Sequence, residues 1–148
     1  MNRRMKFVIQ RVSQASVSID NQIKASIGPG LLVFMAIHQD DVLEDCDKWI
    51  SKILKLRIFP DEKKPINASI QDIDGEILLI SQFTLYGDCK GQNRPSFIQS
   101  AKPDQAKEIY DAFEEKLIQA WPKTKAGEFA ADMKVSLVND GPVTIVLE

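Results

Sequence analysis

Apolar positions along the 148-residue chain switch between a period of two and a period near 3.6, and the switches divide it into strands and helices. KFVIQRVS and ASVSID alternate as strands do and read as two strands joined by a tight connection, with QIKASI following the Asp20-Asn21 turn signal. Gly28-Pro29-Gly30 then breaks the chain before LLVFMAI, a continuous apolar run that predicts a central strand buried on both faces. Beyond it, Val42, Cys46, Trp49, Ile50, Ile53 and Leu56 follow helical spacing. They predict a helix capped by Asp40 or Asp41 and laid over one face of the sheet.

FPDEKKPIN is polar and holds two prolines, which predicts an exposed loop, and EILLISQF returns to strand character. Pro103, with Asp104 beside it, signals a second helix; Ala106, Ile109, Tyr110, Phe113 and Leu117 form its buried stripe and Pro122 stops it. MKVSLVN and VTIVLE are two further β-rich runs, and Asp140-Gly141-Pro142 between them reads as a hairpin turn that brings the last strand back beside its neighbour. A chain of this length with 44% hydrophobic residues buries one core and hardly two, so a single domain over residues 5–148 is expected. Residues 1–4 are expected to be a short disordered leader.

Composition narrows the chemistry. No apolar run reaches the length of a membrane span and MNRR leads into a strand-like segment, so no membrane association and a cytoplasmic location are expected. Cys46 and Cys89 form no C-x-x-C pair, which predicts two reduced thiols, and with His38 as the only histidine no metal site and no cofactor are expected. A net charge of −2 offers no broad basic field, so any nucleic-acid partner must be held locally. A Ser-His-Asp triad would have to use His38, whose place at the end of a buried strand fits a satisfied structural histidine about as well. G-x-S-x-G, Walker, G-x-G-x-x-G and H-E-x-x-H motifs are all missing from the sequence.

What remains is polar residues at strand ends. Ser81, Gln82 and Thr84 follow an apolar strand and place hydroxyls and an amide where it leaves the core, which suits either ligand orientation or simple capping of an edge. Asn139-Asp140-Gly141-Pro142 alone is compatible with an ordinary turn.

Taken together, SQFTLY and NDGPVT resemble the paired signatures of the D-aminoacyl-tRNA deacylase family. KFVIQRV, GPGLLV, LRIF, GQNRPSF and GEFAADMKVSLVNDGPVT resemble further family segments in the family's order, so the likeness covers nearly the whole chain. One departure is Ala130, where the family pattern has glycine.

The resemblance implies an α/β fold: a single domain with a β-barrel-like sheet flanked by two main helices. It also implies a homodimer with each active site at the subunit interface, acting on the 3′ acceptor end of aminoacyl-tRNA. In such a site Thr84, Ser81 and Gln82 are the catalytic candidates, and Phe83, Gly141, Pro142, Phe129, Met133 and Arg11 bind or support substrate. The family's Gly-Pro bond is cis, with backbone carbonyls that receive the substrate's α-amino group, so an L side chain meets the backbone wall while glycine passes. Arg11 is expected to hold that loop, and Lys90 and Arg94 to lie near tRNA phosphates. An activated ester needs an aligned nucleophile and oxyanion stabilisation more than a triad. Two other classes stay open: a catalytically inactive nucleic-acid-binding module and a general small-molecule esterase on the same fold.

Overall fold

The computed structural model of the protein describes residues 4–148. The expected leader at residues 1–4 therefore lies outside the described residues except for Arg4, whose Nε stands 3.7 Å from Asp40 Oδ2. Six strands form one mixed sheet: β1 (Lys6–Ile19), β2 (Gln22–Ile27), β3 (Gly30–Ala36), β4 (Glu76–Ser81), β5 (Thr124–Ala126) and β6 (Lys134–Leu147). Two main helices, α1 (Cys46–Lys55) and α3 (Pro103–Ala120), and a single turn, α2 (Ile70–Ile73), complete the domain. The order is β2-β1-β3-β4-β5, with β6 on β1; β3, β4 and β5 run parallel and the other pairings are antiparallel.

The first two runs form one strand, not two strands joined by a tight connection. In β1 the alternation skips phase once, with Arg11 and Val12 both buried and Ser13 and Gln14 both exposed. Bulges opposite β6 absorb the skip, so a phase break that imitates a turn leaves the strand continuous. The front half of β1 pairs with β3 and the back half with β2, while β6 follows both. Asp20 and Asn21 connect β1 to β2 with φ of 51° and 64°, the left-handed pair a two-residue hairpin requires.

Each face of the sheet has its own apolar cluster. Phe7, Ile9, Leu31, Val33 and Met35 pack under α1 and α3, against Trp49, Ile53, Tyr110 and Phe113. On the other face Val12, Val17, Ile27, Leu32, Leu78 and Ile80 close on one another as the sheet curls. Lys125 Nζ donates to the Ser26 carbonyl at 2.7 Å and the Gly28 N–H to Glu76 Oε1 at 2.8 Å, drawing the β2 end towards β4 and β5. β3 is thus buried on both faces, and its approach to β4 is so close at Gly30 that a Cβ there would lie 1.8 Å from the Glu76 carbonyl oxygen.

Four local expectations change. The chain first makes a 3-10 turn at Leu43–Asp45, so α1 begins at Cys46 and Val42 is left half exposed. Neither Asp40 nor Asp41 caps that helix: the Asp41 carboxylate accepts the His38 N–H at 2.6 Å, and Asp45 accepts the Val42 N–H at 3.0 Å. The strand at EILLIS stops at Ser81, and Phe83–Tyr86 turns as a 3-10 helix. MKVSLVN and VTIVLE are not the arms of a hairpin but two parts of β6, because the long β1 offers one uninterrupted edge for both. Two elements went unread: α2, capped reciprocally by Ser69 and Asp72, and the short β5, which only its pairing to β4 makes a strand.

Candidate active site

A cavity of about 680 Å³ opens at the carboxyl ends of β3 and β4, the place where parallel strands leave a crevice. Ala36 and Ser81 end their strands at its floor, Gln82 and Phe83 form one wall, and Phe129 and Met133 form another. The start of α3 closes a third side through Lys102, Pro103 and Ala106. Tyr110 holds Phe129 from behind, with ring centroids 5.6 Å apart. The sequence marked Pro103 and Ala106 as helix positions but carried no signal that they face a cavity, because that depends on where α3 lands on the sheet.

The turn after β4 sets the polar wall. The Gln82 N–H donates to the Met35 carbonyl at 2.8 Å, pinning the strand end, and its side-chain amide donates to Thr84 Oγ1. Gln82 occupies the N-cap position without a side-chain cap, which leaves the first N–H groups of the turn, at Phe83 and Thr84, uncapped. Thr84 itself is exposed and does not line the cavity.

Gly141, Pro142 and Arg11 are elsewhere. Asp140, Gly141, Pro142 and Val143 bulge out of β6 opposite a single residue, Arg11, and the Gly141-Pro142 bond is cis. Arg11 is buried and donates from Nε to the Asp140 carbonyl and from Nη1 to the Ile58 carbonyl, both at 2.8 Å. Asn139 was read in the sequence only as part of the turn, yet it clamps the bulge. Its Oδ1 accepts the Val143 N–H at 2.7 Å and its Nδ2 donates to Thr144 Oγ1 at 3.0 Å. Gly141 has φ of 142°, and a Cβ on it would stand 3.0 Å from Arg11 Nη2, so the position takes glycine alone. Register puts Arg11 beside Leu31 and Lys6 beside Ala36, which separates the bulge from the cavity floor by about 17 Å along β1.

His38 lies outside the cavity lining, with its ring edge-on to Tyr86 at 5.5 Å and its Nδ1 accepting the Asp40 N–H at 3.0 Å. Burial pushes the neighbouring Asp41 carboxyl up to about 6, but its lone pairs face the His38 backbone. Cys46 is buried, with its thiol pushed up to about 11 by burial, and Cys89 is exposed. Among the described residues no three His, Cys, Asp or Glu side chains converge as a metal site would require, and no helix is long and apolar enough to cross a membrane.

Two solved structures superpose over almost the full length. One, described as c-Myc DNA Unwinding Element Binding Protein, is 39% identical, with a TM-score of 0.89 and 97% of each chain covered. The other, described as a probable eukaryotic D-amino acid tRNA deacylase, is 18% identical and shares the fold, with a TM-score of 0.86 over 97% of this chain and 98% of that one. The family described as D-Tyr-tRNA(Tyr) deacylase matches residues 8–148, both motif segments included. The chain belongs to that family and is a hydrolase of the aminoacyl-tRNA ester bond.

Proposed function

We propose that the protein releases D-amino acids, and glycine mischarged on alanine tRNA, from the 3′-terminal adenosine of tRNA. It works in the cytoplasm as a homodimer whose two active sites are each shared between subunits. The observation that carries this reading is the separation of the two motif segments. Each is firmly built, yet they stand about 17 Å apart along β1 within one chain, so a second copy is needed to bring them together.

In this arrangement Phe129 and Met133 pack the terminal adenosine, and the partner's Gly141 and Pro142 present backbone carbonyls to the substrate's α-amino group. An L side chain on an amino acid anchored that way runs into the backbone, a D side chain points away, and glycine has none; selection works by exclusion. A water oxygen bonds to the ester carbonyl carbon, the carbonyl oxygen takes up negative charge, and collapse expels the ribose oxygen, which takes up the proton that the water gives up. The N–H groups of Phe83 and Thr84 hold the oxyanion, and Ser81 and Gln82 fix the nucleoside. Water is preferred to Thr84 as the nucleophile, because Thr84 Oγ1 accepts from the Gln82 amide and no base stands among its hydrogen-bond partners to activate the hydroxyl. The ribose 2′-hydroxyl next to the ester assists the water.

A binding module without catalysis is the second reading, drawn from the name of the 39%-identical neighbour. It must work without a broad basic field, since the net charge is −2. The deciding experiment measures amino-acid release from D-Tyr-tRNA and L-Tyr-tRNA by the purified protein, with and without a chelator. Chelator-resistant release from the D form alone is expected. Equal release from both forms would overturn exclusion by the backbone, and no release from either would favour the binding module. Equal turnover of a simple ester lacking tRNA would favour a general esterase.

A further inference from the structure

The lip of the cavity carries an apolar surface that the chemistry above does not use. Phe83 is 54% exposed, Phe97 36% and Ile98 78%. The two rings meet edge to face with centroids 5.1 Å apart, and both border the cavity. Single exposed apolar residues need no explanation, but two exposed rings in contact at the mouth of a substrate site do, with Ile98 the next residue in the chain. Phe97 is firmly placed: Asp88 and Ser96 exchange backbone hydrogen bonds of 2.8 and 2.9 Å just before it, closing the loop that carries Lys90 and Arg94. Lys102 stands on the α3 side of the same cavity. None of these three cations has an ion-pair partner among the described residues.

We propose that Phe83, Phe97 and Ile98 form a stacking shelf for the unpaired nucleotide that precedes the terminal adenosine, with Lys90, Arg94 and Lys102 facing its phosphates. The proposal rests on the aminoacyl-tRNA reading of the cavity. A cavity of about 680 Å³ takes a nucleoside and its amino acid, so the strand must leave across the lip, where its next base requires a flat apolar partner and its phosphates a local positive charge. Stacking tolerates any base, which suits an enzyme whose substrates differ in body but share an unpaired end. It also explains how a chain of net charge −2 holds RNA: the attraction is confined to the rim.

The test compares D-Tyr-tRNA with D-Tyr-adenosine, which ends at the terminal nucleoside. F97A is expected to raise KM for D-Tyr-tRNA about tenfold more than KM for D-Tyr-adenosine. F97W should restore the difference and F97L should not, since leucine replaces the apolar area without the ring face. I98A removes only exposed surface and should give a smaller rise, again specific to tRNA. An equal rise for both substrates, full rescue by F97L, or a shift of F97A to a smaller species on size exclusion would overturn the shelf. The last outcome would make this face a contact between copies of the chain. Failure of the deacylase reading looks different, because wild-type protein would then turn over neither substrate.

Discussion

Ala130 holds a backbone that glycine adopts more readily: φ is 64°, in the left-handed region. The cost of a Cβ there exceeds the extra chain entropy that glycine loses on folding, so A130G should stabilise the protein by about 1 kcal/mol. Thermal unfolding should show a rise of roughly 3 °C for a domain of this size. An unchanged or lower midpoint would mean that the loop relaxes around alanine. The residue type was readable in the sequence, but its φ was not, because it is imposed by the fold that carries Phe129 into the cavity and on to β6. Arg11 shows the same limit from the other side. Its bond to the loop at the Asp140 carbonyl was expected from the family likeness, but its burial and its second bond, to the Ile58 carbonyl, were not, because they come from a segment remote in sequence.

At the level of elements, the bulge in β6 is the feature that periodicity misreads. Gly-Pro between two β-rich runs has the composition of a hairpin turn, but both runs pair with β1 in one direction and the residues from Asp140 to Val143 loop out. Arg11 and Asn139 then give that loop its order from its two ends. R11K keeps the charge but loses the two-pronged contact with two carbonyls, and N139A removes both clamp bonds. Each should cost about 1–3 kcal/mol of stability and lower kcat/KM for D-Tyr-tRNA about tenfold. Wild-type kcat/KM in a destabilised variant would show that the order of the loop is irrelevant to catalysis. The two main helices, by contrast, were legible: the stripe from Ala106 to Leu117 is buried as its spacing predicts, and only the start of α1 moved.

The whole molecule is where a site divided between copies is either made or not. S81W fills the cavity of its own chain, and G141A deforms the bulge, so each variant alone should be inactive. Co-expression of the two should restore about a quarter of wild-type activity, since half of the dimers are mixed and each has one intact site. No recovery in mixed dimers isolated as such would sink the shared site. Residue types and their spacing determined, without any structure, the central buried strand, the two helices, the motif segments and hence the family, because periodicity and a chain-long ordered set of motifs are properties of the linear chain. Tertiary structure alone decided that β1 and β6 are single long strands and that the carboxyl ends of β3 and β4 open a cavity. It also decided that the Gly141-Pro142 bulge stands away from that cavity. Each of these depends on register and on contacts between segments far apart in sequence, where a one-residue shift moves a side chain to the opposite face.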